Sequence, residues 1–161
     1  SGTYATALLN LILGRGPHSR LFKEISEKKG LAYTIGSTYR GINNVGTIII
    51  SGNVHSARQD EAIDSILREI KRLRDELIKE EELLRSKNRL MYKIATDLET
   101  NMDIAHNLIE FKLDYGITKE EYLTFLKRIK KQDILEVAQE YLPKSLDDNK
   151  YVMLIRDPLK Q

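Results

Sequence analysis

The sequence predicts an α+β fold: helix-rich, with a mostly antiparallel sheet covered by helices. Three observations carry that reading. Apolar residues recur at helical spacing over most of the 161 residues. Residues 31–54 break that rhythm with two strand-like runs around the turn-forming Gly41-Ile42-Asn43-Asn44. A short apolar run, Tyr151 to Ile155, then closes the pattern as a third strand. The order is two helices, a hairpin, four helices and a strand.

Tyr4 to Leu13 is apolar on nearly all sides and reads as a buried helix. Gly14 and Gly16 break it, and Pro17 suits the first turn of a second helix running to about Lys29. Leu21, Phe22 and Ile25 point inward there, and Gly30 is a C-terminal stop. Leu31 to Tyr39 is the first strand, with Tyr33, Ile35, Ser37 and Tyr39 expected on one face. Val45 to Val54 is the second. Ser56 with Gln59 has the spacing of a capping box and starts a helix reaching Leu77. A long helix follows from about Lys79 to Ile109, with a bend expected at Asn101. Thr118 with Glu121 is another capping box, opening a helix through Ile129. Gln132 to Leu142 forms the last helix, stopped by Pro143. Three strands are few for so many helices. The expectation is one domain, 1–161, cut from a longer protein, or a sheet edge that pairs with another chain, including a second copy in a dimer.

Composition excludes several function classes. Hydrophobic residues are 41% of the chain, enough for a core. Acids and bases interleave and nearly cancel at +2, which is not a nucleic-acid footprint. With no cysteine there is no disulfide or thiol chemistry. No apolar run approaches the roughly 20 residues of a membrane span. The bias to Lys, Glu and Ile suits a heat-adapted protein or an AT-rich genome equally. The compartment is unknown from the sequence; a cytoplasmic one is the default expectation.

The side-chain chemistry is sparse. A catalytic zinc needs about three converging protein ligands. The three histidines, His18, His55 and His106, are solitary, and no H-x-x-E-H occurs. There is no G-x-S-x-G elbow. Gly14-Arg-Gly-Pro17 follows a helix and lacks the G-K-[ST] of a phosphate loop. The charges from Arg68 to Arg74 alternate in sign, as on a solvated helix face. Tyr33 remains. Its phenol either packs on the core or donates a hydrogen bond to a carbonyl oxygen gaining charge.

The block from Ser19 to Tyr33, S-R-L-F-K-E-I-S-E-K-K-G-L-A-Y, resembles the C-terminal, non-zinc half of the pitrilysin/insulinase zinc metallopeptidases. The element order agrees across the chain, including Glu82-Leu-Leu-Arg-Ser-Lys-Asn88 and the closing Asp157-Pro158. The resemblance implies a LuxS/pitrilysin-like αβ half-domain, catalytically inactive by itself. It would close a clamshell over a peptide held by a zinc-bearing half, in the same polypeptide or a separate subunit. No cofactor is expected in this chain; zinc belongs to the partner half. The resemblance gives Tyr33 a substrate contact and pairs it with an arginine seven residues earlier, where this chain has Ser26. Serine cannot replace a guanidinium. Lys28, Lys29 and Arg40 are the cations available to compensate. Ser26 is expected to face the same cleft as Tyr33. Arg20 matches the family's S-R-L-F arginine, as a substrate contact or, better, as a tie for the helix start. The alternative implication is an assembly module of the same fold with no proteolytic role, as in core subunits of respiratory complexes.

Overall fold

A computed structural model describes residues 2–42, 45–96, 116–145, 148 and 152–155. Helix α1 (Gly2–Leu13) carries no charged residue and lies at the centre, with Ala5, Leu8, Leu9, Ile12 and Leu13 buried. The hairpin β1 (Ala32–Ile42) and β2 (Val45–Val54) packs against it. So do α3 (Glu80–Thr96) and α5 (Lys131–Tyr141). Helix α2 (Gln59–Asp75) joins α5, and α4 (Lys119–Arg128) closes the end of the core near Tyr4. There Tyr4 meets Tyr122 edge-on at 4.9 Å and stacks on Phe125 at 5.6 Å.

The second helical segment differs from the regular helix its spacing predicts. Phe22–Lys28 is a π-helix. Ser19 precedes it, its hydroxyl donating to the Gly16 carbonyl (2.7 Å) and accepting from the Phe22 amide (3.4 Å). The wide turn closes through Gly30 N–H to the Ser26 carbonyl (3.1 Å) and Leu31 N–H to the Ile25 carbonyl (2.8 Å). Gly30 sits at φ +58°, where a side chain is disfavoured, as the stop signal requires.

The strands pair antiparallel from Ala32↔Val54 to Ile42↔Val45, so β1 runs past Tyr39 and leaves only Asn43-Asn44 between the strands. Those two lie outside the described residues. The register slips between Ala32 and Thr34, leaving Tyr33 without a cross-strand partner. This bulge overturns the expected face. Ile35 and Ser37 face the core and Tyr39 is half-buried, but Tyr33 is 91% exposed. An extra residue in one strand resets the two-residue alternation. The outer face carries Thr34, Gly36, Thr38 and Arg40 on β1, and Thr47, Ile49, Ser51 and Asn53 on β2.

Three further expectations change. The capping box at Ser56 is replaced by a 3₁₀ turn, Ser56–Arg58, in which His55 Nδ1 accepts from the Ala57 amide (3.3 Å). The alternating charges of α2 are not all solvated: Glu69 and Arg74 are buried. Arg74 donates to the carbonyls of Gln139 (3.0 Å) and Leu142, supplying partners for the open end of α5. Residues 152–155 form no strand and are exposed, Val152 at 86% and Leu154 at 92%. A strand needs an edge, and at the middle of β1 the Ser37 amide is already bonded to the Gly14 carbonyl (3.0 Å). The Thr118/Glu121 capping box is present with both bonds, 3.2 and 2.8 Å. The second half of the expected long helix, with Asn101 and His106, lies outside the described residues.

Candidate substrate-contact site

Tyr33 stands at the head of β1, three residues after Gly30. Its backbone is braced from two sides. On one, the Gly30 and Leu31 amides are tied to the π-helix. On the other, Arg58 Nη1 donates to the Lys29 carbonyl (3.3 Å) and Lys29 Nζ donates to Ser65 Oγ (2.8 Å). These bonds fix the π-helix, β1 and the start of α2 as one base. The phenol projects from it into solvent, and its neighbours Ala32 and Ile35 are buried. A large aromatic at 91% exposure does not contribute to the core, so the packing role open to Tyr33 in the sequence is not the one it has here.

Ser26 is half-buried, and its carbonyl accepts from Gly30. Ser26 therefore lies, by backbone, beside the turn that launches β1. Arg20 turns inward. Its Nε and Nη2 donate to the two carboxylate oxygens of Glu82 at 2.8 and 3.0 Å, and its side chain is 11% exposed. The same carboxylate accepts from the Lys79 amide (3.0 Å) and so caps the start of α3. Burial pushes the Glu82 carboxyl up, but the Arg20 hydrogen bond, the Lys79 amide and the charges of both residues outweigh it. The net position is below the ordinary carboxylate value.

The cations expected to compensate for Ser26 are placed differently. Lys28 Nζ bonds Glu24 at 3.0 Å, and Lys29 Nζ lies 3.5 Å from the same carboxylate. The Lys28 hydrogen bond and the two ammonium charges hold Glu24 below its ordinary value against a smaller opposing effect of burial. Arg40 is exposed, and among the described residues no carboxylate pairs with it. It is remote from Tyr33: six strand steps from Thr34 span about 20 Å. His18 is exposed in its turn and His55 is a cap. No cluster of three metal-ligating side chains occurs among the described residues. An open hollow of about 260 Å³ between α2 and Pro143 is lined by Leu67, Arg68, Lys71 and Lys144.

The bracing residues Arg58 and Ser65 escaped the sequence reading, because their partners are 29 and 36 residues away. No local pattern signals such contacts.

Helices packed on a two-stranded antiparallel hairpin, with an exposed aromatic at the strand head, define a helix-rich α+β domain. Residues 2–90 match the peptidase M16 inactive domain, and the chain belongs to that family. A relative named an uncharacterized zinc protease, from Rickettsia bellii, is 29% identical over 152 residues, covering 88% of this chain and 35% of the relative. The crystal structure of a peptidase M16 inactive domain from Pseudomonas fluorescens is similar at TM-score 0.77 and 20% identity, covering 88% of this chain and 34% of that one. Complex III2 from Candida albicans contains a similar chain at TM-score 0.69 and 20% identity, with 87% and 36% covered. The chain thus spans about a third of the length of the curated relatives it matches. The resemblance read from Ser19 to Tyr33 is borne out at the level of the family and its inactive domain.

Proposed function

We propose that this chain is the non-catalytic half of a zinc-dependent peptidase, closing over a peptide held at a zinc site in another domain or subunit. The reaction is peptide-bond hydrolysis by a metal-activated water. The metal, its ligands and the general base come from the other half. This chain contributes a wall, exclusion of water, and the phenol of Tyr33 directed at the scissile carbonyl. The observation that carries the reading is the 91% exposure of Tyr33 on a braced backbone. A hydrogen-bond donor held on a rigid base stabilises developing oxyanion charge with little reorganisation.

The test is Tyr33→Phe in the assembled protein. Phenylalanine keeps the ring and removes the donor. Turnover should fall about 10- to 1000-fold, up to the cost of losing one oxyanion-hole donor, with the zinc content unchanged. Full activity would remove the donor role.

A second reading, a structural or assembly module, is favoured by Ser26. A half-domain that lacks the long cation its family places there has less grip on substrate. The similar chain in Complex III2 is consistent with it. Assembled protein that binds zinc-bearing partner but cleaves no peptide would establish this reading instead.

A further inference from the structure

The outer face of the hairpin is unlike the rest of the surface. The chain is 31% charged, yet seven of the eight outward positions on β1 and β2 are uncharged, most of them hydroxyl, amide or glycine. Solvated faces of the helices are laced with ion pairs such as Arg58–Glu61, Lys71–Asp75 and Arg85–Glu81. The one charge on the hairpin face is Arg40, a cation with no carboxylate partner among the described residues. Tyr33 stands beyond the other end of the same strand. An extended peptide rises about 3.3 Å per residue, so the roughly 20 Å from Thr34, next to Tyr33, to Arg40 corresponds to about six residues.

Resting on the peptidase reading above, we propose that the outer hairpin face is a track for an extended peptide, and that Arg40 takes a carboxylate of that peptide. The carboxylate belongs to an Asp or Glu side chain, or to the peptide's C-terminus, about six residues from the bond presented to Tyr33. Three features suit this occupant. Hydroxyls and amides at Thr34, Thr38, Ser51 and Asn53 offer hydrogen bonds without selecting a side-chain charge. Gly36 puts no side chain on the middle of the face, opposite the small Ser51. The unpaired guanidinium presents a planar fork matched to a carboxylate. Arg40 is thus a specificity residue, with no part in bond cleavage.

The experiment uses the full assembled protein and labelled peptides, each with one cleavable bond. One series places Asp at four to nine residues from that bond, on either side; its control carries Asn. A parallel pair has a free or an amidated C-terminus at the same distances. KM should be lower for the charged peptides near six residues and not at four or nine. Arg40→Gln should raise KM about three- to tenfold for those peptides alone, leaving kcat and the neutral controls unchanged. Asp preferred but not free C-terminus identifies a side-chain subsite; the reverse identifies an end-binding one. If no peptide is cleaved, the Kd of the same peptides, read by anisotropy, replaces KM. Equal KM or Kd for all peptides, a loss that ignores peptide charge, or dissociation of the two halves in Arg40→Gln would overturn the proposal. A Tyr33→Phe variant with full turnover but intact charge preference would sink the role of Tyr33 and leave this track standing.

Discussion

Removing the Arg20 guanidinium should cost far more than its position near the surface suggests. Arg20 makes two charge-assisted bonds to Glu82, and Glu82 also caps α3. The side chains are 11% and 22% exposed, so neither ion recovers full hydration when its partner is lost. Breaking a fully buried pair from one side costs about 3–5 kcal/mol, and the residual exposure here reduces that to about 2–3 kcal/mol for Arg20→Met. Glu82→Gln should cost about 1–2 kcal/mol, since the amide still accepts from Lys79. The double variant Arg20→Met with Glu82→Met should lose less than the sum of the singles, by a coupling energy of at least about 1 kcal/mol. Urea denaturation followed by circular dichroism measures all four proteins. The pH dependence has a definite sign. The folded-state pKa of Glu82 is depressed, so its contribution is present above its ordinary value of 4.5 and is lost as pH falls through the folded value. Wild type and Glu82→Gln should therefore differ by a constant amount from pH 6 to 8 and converge as pH falls through the depressed folded-state value, below 4.5. Coupling below about 0.5 kcal/mol, or a difference that grows on acidification, would refute the reasoning.

Gly14→Ala should destabilise by about 2 kcal/mol or more, because the new Cβ would stand 2.5–2.7 Å from Ser37 backbone and side-chain atoms. Gly30→Ala meets nothing within 4 Å and should lose only the left-handed backbone cost, about 1–2 kcal/mol, a ranking that thermal unfolding checks. Ser26→Arg in the assembled protein should lower KM or raise kcat through a charge-assisted bond to substrate oxygens, about 1.5–3 kcal/mol if desolvated; unchanged kinetics would make Ser26 a bystander. Leu154→Asp should reduce concentration-dependent association of this chain, read by light scattering, because four consecutive apolar residues at 152–155 are exposed.

What the sequence disclosed follows the range of the interactions involved. The Thr118–Glu121 cap, the Gly30 stop and the two strands rest on neighbours within a few residues, and each has a local signature. The π-helix does not: over seven residues its wider turn shifts side chains too little for a periodicity to register. The bulge at Tyr33 is equally silent, since alternation from Ile35 to Tyr39 extrapolates backward through it. The long cations in the middle of α3 carry no local signal of their partners. Lys87 donates to the carbonyls of Lys127 and Ile129, and Arg89 donates to the Arg15 carbonyl at 2.6 Å. These cap the ends of elements 40 and 74 residues away. The family block located the region of the candidate site, and it contains both Arg20 and Tyr33. The structure turns them in opposite senses, one into an ion pair and one into solvent.

That opposition has a mechanical logic. For the role proposed for Tyr33, its phenol must reach outward, yet its backbone must not yield when load is applied. Arg20–Glu82 fixes the start of the π-helical segment to α3, and the Ser26–Gly30 and Ile25–Leu31 bonds fix its end to β1. Lys29 and Arg58 fix the connecting turn to α2. Three separate elements thus hold the residues on either side of Gly30, while the bulge releases Tyr33 from the ladder and lets its side chain leave the core face. A regular strand through Ala32 to Ile35 would keep Tyr33 in alternation with Ile35 and Ser37 and direct it into the helices. Rigidity of the base and exposure of the ring therefore arise from the same short stretch, and the extra residue at position 33 is what makes them compatible.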